Sequence, residues 1–155
     1  MNRIYKIQKA MLGKINACEN IAGIRDKSLD WERIHMISCA KLGLLLARQR
    51  GIDPELAAMA CTVHDFGRIV TGKNKGHAEA GFEPVQDFLR SLGFVTEEEI
   101  GMIAIAVKNH SRKGEVGSPL EELVKDADIM DFSQYGFAFE REDQQQRYAR
   151  IAQSI

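Results

Sequence analysis

The chain is poor in the residues that announce a special architecture. Its three cysteines, Cys18, Cys39 and Cys61, form no CxxC pair and are odd in number, which argues against a disulfide framework and for a reducing compartment. No apolar run approaches the roughly 20 residues that a bilayer-spanning helix needs, so no membrane association is expected. The opening stretch MNRIYKIQKAML lacks the apolar core and cleavage site of a secretory signal, and a cytoplasmic location is the expectation. A net charge of −1 supplies no field for steering a nucleic-acid polymer, although local basic clusters can still bind a single phosphate group. No β-strand alternation is sustained, and there is no internal repeat and no low-complexity segment. With 155 residues, one domain spanning 1–155 is expected, with enough material for a core.

The pattern that is present is helical throughout, which predicts an all-α bundle of about six to seven helices. Ile4, Ile7, Met11 and Ile15 recur at helical spacing and predict a first helix over 3–22. Ser28 or Asp30 caps a second helix that runs to about Arg50, where Gly51 ends it. Asp53-Pro54 opens a third helix through about Phe66. The stretch GRIVTGKNKG, residues 67–76, reads as a glycine-rich basic loop. A fourth helix spans His77 to Leu92, with Pro84 as a kink or break. Thr96 and Glu99 form a capping box for a fifth helix to about Asn109, and Ser118-Pro119 with Glu121 starts a sixth to about Phe132. Residues 139–153 are polar and predict a peripheral helix.

The four histidines, His35, His64, His77 and His110, fall between these helices or on their apolar faces, and none lies near a terminus. His64 is followed directly by Asp65, and Asp128 comes later in Lys125-Asp126-Ala127-Asp128. Two ionisable groups side by side at the end of the apolar helix AAMACTVHDF are costly to bury unless each is paired or bound to a metal. Asp128 poses the same problem beside Ile129 and Met130. Four imidazoles and two carboxylates are good donors for hard or borderline divalent metals. Drawn from five helices, they could converge in the middle of a bundle.

The ordered set His…His-Asp…His…His…Asp resembles the HD-domain superfamily of metal-dependent phosphohydrolases. The resemblance is carried by His35 in WERIHMISCAKLGLLLA, His64-Asp65 in AAMACTVHDFGR and Asp128 in VKDADIMD. His77 in KGHAEAG and His110 in AVKNHSRKG resemble the subset that holds two metals. The likeness covers about residues 30–132, leaving the helices at 3–22 and 139–153 peripheral and free to pack on a partner. It implies that His35, His64, Asp65 and Asp128 hold a first metal, that Asp65 bridges to a second, and that His77 and His110 complete it. Iron, manganese and zinc all suit such ligands. The implied nucleophile is a metal-bridging hydroxide acting on a phosphate ester or anhydride. Nucleotides and dinucleoside polyphosphates are candidate substrates, because the same order is similar to HD-type hydrolases that split diadenosine tetraphosphate.

Several residues near these motifs are further candidates. Arg68, directly after HDFG, and Arg112 and Lys113, just after His110, are candidate phosphate contacts at the catalytic centre with Asp65. Lys73 and Lys75 are weaker candidates in the glycine loop. Gly72, Gly76 and Gly114 serve turns or closing loops. Asp131, next to the Asp128 turn, either supports a ligand or is exposed. Cys39 and Cys61 read as small core residues, and core packing and helix capping account for Trp31 and Glu32. Two other functions are alternatives, and the ligand order resembles the first of them. One is a di-iron oxygenase of the same superfamily, cleaving a C–C or C–P bond with Lys73 or Lys108 holding the substrate. The other is a non-catalytic sensor or scaffold.

Overall fold

The computed structural model describes residues 2–154, and among them are eight helices and no strand. They are α1 (Arg3–Ala17), α2 (Leu29–Arg50), α3 (Pro54–Val63), α4 (Phe66–Thr71), α5 (His77–Leu92), α6 (Glu97–Asn109), α7 (Pro119–Ser133) and α8 (Glu142–Ala152). Among the described residues, no helix is long and apolar enough to cross a membrane.

The caps form where short polar side chains stand ahead of apolar runs. Ser28 accepts from the Trp31 N–H, and Gly51 closes α2 in the left-handed conformation. Asp53 accepts from the Glu55 and Leu56 N–H groups with Pro54 behind it. Thr96 with Glu99, and Ser118 with Glu121, make reciprocal capping boxes.

Helix α3 is the centre of the bundle and packs against α1, α2, α6 and α7. Every residue from Leu56 to Val63 is buried and all but Thr62 are apolar; the Thr62 hydroxyl donates to the Ala58 carbonyl, so the enclosed helix leaves no polar side chain unpaired there. Its alanines let neighbours approach closely. At Gly43 of α2, a Cβ would come within 2.5 Å of the Cys61 sulfur. Helix α1 adds Ile7, Met11 and Ile15 to the core, while α8 lies outside against α7.

Three expectations are corrected. The basic stretch at 67–76 is only half loop, because its first residues continue α4, where Phe66 and Ile69 are buried. The first helix ends at Ala17, not residue 22. The chain after it turns so that Arg25 donates to the Arg68 and Ile69 carbonyls and Asp26 accepts from the Asn74 N–H. Pro84 does not break α5. It sits on the exposed face together with Ala80, so the carbonyl deprived of its partner reaches water.

Helices α4 and α5 meet almost backbone to backbone. A Cβ at Gly67 would stand 1.9 Å from the His77 carbonyl oxygen and 2.7 Å from the Gly81 nitrogen. Only glycine fits there, and the contact fixes where α5 begins relative to the His64-Asp65 corner.

Candidate metal centre

Each of the six residues occupies a position that turns its side chain inward. His35 lies within α2, His64 and Asp65 form the corner between α3 and α4, and His77 is the first residue of α5. His110 is the C-cap of α6, and Asp128 lies on α7.

Three of the histidines are held by their own backbone. The Nδ1 atoms of His64, His77 and His110 lie 2.7, 2.6 and 2.7 Å from the carbonyl oxygens of Cys61, Asn74 and Val107, each three residues earlier. A carbonyl only accepts, so each Nδ1 carries the proton and each Nε2 presents a bare lone pair. His35 is in mid-helix, where the carbonyls are already used. Its Nδ1 turns instead to Asp131 Oδ2 at 2.5 Å, and Asp131 is wholly buried.

The four Nε2 atoms converge. His35 and His64 approach to 3.1 Å, and His77 and His110 to 3.0 Å. Two lone pairs cannot hydrogen-bond each other, so these pairs call for a cation or proton between them. Asp65 sits between the two pairs and divides its oxygens. Oδ2 is 3.3 Å from His35 and 3.2 Å from His64, while Oδ1 is 2.9 Å from His77 and 3.3 Å from His110. Asp65 heads α4 yet caps none of its N–H groups, because its carboxylate is turned into the cluster. Asp128 Oδ1 joins the first pair at 3.1 Å from His35 and 3.6 Å from His64. The ligand atoms of His35, His64 and Asp128 all lie within 4.8 Å of one another, as do those of His64, Asp65 and His110. The donor set fits divalent cations in type, charge and reach.

The electrostatics follow from burial and neighbours. Burial works against charge on Asp65, but Arg68, His64 and the other histidines outweigh it and hold the carboxyl well below its usual range. Asp128 is likewise lowered against its burial, chiefly by Lys113. Burial alone would lower His35, yet Asp128, Asp131 and Asp65 raise it well above its ordinary value, and Asp65 does most to raise His64. His110 is pushed down to about 3 by burial and by His77 and His64. Protons and metal compete for the same lone pairs here.

The basic candidates separate. Arg68 is buried and committed to an ion-pair chain, with Nε 2.7 Å from Glu32 Oε1 and Nη2 against Asp65. Lys113 is buried, its Nζ 2.5 Å from Asp128 Oδ2. Arg112 is exposed and pairs with Glu79 and Glu115. Lys75 lines the cavity over the cluster, whereas Lys73 and Lys108 do not; Lys108 lies over the Phe82 ring instead. The two lysines considered for an oxygenase substrate are therefore outside the cavity. Cys39 and Cys61 are free and fully buried among apolar residues, and burial pushes the Cys39 thiol up.

Glu32 and Trp31 carry more than capping and packing. Glu32 is buried on the Arg68 guanidinium, and Trp31 stacks on His35 with ring centroids 5.0 Å apart. Their spacing three and four residues before His35 places them on its helix face, a signal that was there to be read. The cavity has a volume of about 770 Å³, and six basic and six acidic side chains line it.

The HD domain family matches residues 33–133, and the chain belongs to that family. It is 29% identical over 102 residues to Ribonuclease Y of Chlorobium luteolum and 28% identical over 102 residues to Ribonuclease Y of Chlorobium phaeovibrioides. The match covers 66% of this chain but only 18% of either relative. Among solved structures, a predicted HD superfamily hydrolase from an uncultured Thermotogales bacterium aligns over 98% of this chain and 88% of that one, with a TM-score of 0.64. At 20% identity this likeness speaks for the fold alone.

Proposed function

We propose that the protein is a phosphohydrolase that holds two divalent metal ions and acts on a small phosphate ester or anhydride. The observation that carries this reading is the divided Asp65 carboxylate, with Oδ2 toward His35 and His64 and Oδ1 toward His77 and His110. One ion would be held by His35, His64, Asp65 and Asp128, the other by His77, His110 and Asp65. Bound there, such ions lower the pKa of water and withdraw charge from phosphoryl oxygens.

The chain's own groups prepare that chemistry. Backbone carbonyls and Asp131 fix the histidine tautomers. Arg68 and Lys113 keep Asp65 and Asp128 ionised. The cavity walls balance six basic against six acidic side chains, so two dications would leave four positive charges in excess and favour an anionic substrate. The three free thiols support a reducing, cytoplasmic setting. The name of the Chlorobium relatives raises an RNA phosphodiester as a second substrate class.

The test is elemental analysis of protein purified without a histidine tag or chelator, followed by assays on p-nitrophenyl phosphate, ATP, diadenosine tetraphosphate and an RNA oligomer. About two metals per chain and turnover of at least one substrate are expected, with both lost in Asp65→Ala. Turnover that persists after the metals are gone refutes the reading. Oxygen uptake by iron-loaded protein would move it to the oxygenase class, and metal without any turnover would move it to a sensor.

A further inference from the structure

Most cations lining the cavity already have an acidic partner, whereas Lys27 has no carboxylate within ion-pair distance among the described residues. It is half-buried and held by aromatic faces instead. Its Nζ lies 5.6 Å from the Trp31 ring centroid, 5.6 Å from Phe132 and 5.0 Å from Phe137. The three rings come from α2, α7 and the segment between α7 and α8. Trp31 meets the other two edge-on, at 85° to Phe132 and 82° to Phe137, so the rings brace one another.

A carboxylate would position this ammonium and cancel its charge. Ring faces position it and leave the charge in place, since their attraction comes from a quadrupole. The rings offer no carbonyl or carboxylate acceptor, so the ammonium N–H groups are free for one in the cavity. Trp31 also stacks on His35, which puts this cation one aromatic ring away from the histidine cluster.

We propose that Lys27 binds a second anionic group of the substrate, a phosphate or a carboxylate, while the phosphoryl group to be cleaved lies at the histidine–aspartate cluster. The preferred substrate class is then a doubly anionic phosphate ester. This rests on the phosphohydrolase reading.

Trp31 is the single tryptophan of the chain, so its fluorescence reports on ligands at the cage without turnover. Metal-loaded protein is titrated with two matched pairs, glycerol 3-phosphate against 3-phosphoglycerate and glucose 6-phosphate against glucose 1,6-bisphosphate. They differ in length and in whether the second anion is carboxylate or phosphate. In at least one pair the doubly anionic member should bind about tenfold more tightly, a typical charge-assisted gain. Lys27→Met should abolish that gain while keeping an apolar side chain against the rings, and Lys27→Arg should retain it. No gain in either pair, including no binding at all, overturns the proposal, as does an equal gain in Lys27→Met. Hydrolysis of these esters without a Lys27-dependent gain overturns this proposal and leaves the phosphohydrolase standing. A Lys27-dependent gain in metal-loaded protein that turns over no phosphate ester or anhydride fails the phosphohydrolase reading alone.

Discussion

Asp131→Asn separates geometry from charge at the histidine cluster. The Asp131 carboxylate is wholly buried, accepts from His35 Nδ1 at 2.5 Å, and takes the Gln134 amide on its other oxygen at 3.2 Å. Asparagine keeps the shape and can still accept the imidazole N–H through its own oxygen, but it removes the negative charge that makes His35 a stronger base. Groups in this position behind a metal-binding imidazole contribute about 10- to 100-fold in metal affinity, or about 1.4 to 2.8 kcal/mol. The effect should be confined to the centre that includes His35. His77 and His110 are set by the Asn74 and Val107 carbonyls, which the substitution does not touch. Competition against a chromophoric chelator should resolve two binding steps if the cluster holds two ions. One should weaken by the stated factor and the other stay within about twofold, less than 0.5 kcal/mol. Equal weakening of both steps, or no change in either, would refute the division of the cluster into two centres with separate supports.

Gly67→Ala drives a Cβ into the His77 carbonyl 1.9 Å away and should cost about 3 kcal/mol, seen as a lower urea midpoint; an unchanged midpoint would contradict the packing of α4 on α5. Arg147 is buried, with Nη1 2.7 Å from Asp126, Nη2 2.8 Å from Glu122 and Nε 2.8 Å from the Lys113 carbonyl. Arg147→Met should destabilise by about 3 kcal/mol in the same assay, because the buried Asp126 and the half-buried Glu122 lose a partner; a loss under about 1 kcal/mol would mean that Arg50 and Lys125 compensate. Burial tends to raise Glu122, but the Gly117 N–H, Lys125 and Arg147 together hold it below its ordinary value. Its folded pKa therefore lies below its unfolded one, and its stabilisation is present above the unfolded value and lost as pH falls through the folded one. Glu122→Gln should flatten the acid limb of the stability–pH curve, and an unaltered slope would exclude Glu122 as a contributor.

Much of the fold was legible because its signals are local. Ser28, Asp53-Pro54, Thr96 with Glu99 and Ser118-Pro119 with Glu121 start helices where short-range hydrogen bonding says they should. The short helix α4 was hidden, since GRIVTGKNKG has the composition of a loop and only burial of Ile69 and Phe66 makes its first half helical. Pro84 was ambiguous because its effect depends on which face of α5 meets water.

The candidate site divides in the same way. The order of four histidines and two aspartates, and hence a donor set suited to divalent metals, stands in the chain itself, because donor type is a property of residue type. Even the tautomers of His64, His77 and His110 rest on carbonyls three residues earlier, a local relation. What only the tertiary structure decided are the contacts between distant segments. They are the burial of Asp131 on His35 across 96 residues, the Glu32–Arg68–Asp65 chain, and the ring cage around Lys27. Charges far apart in sequence carry no mark of their partners, and whether a carboxylate or a lysine is exposed, paired or caged is settled only when the helices bring their faces together.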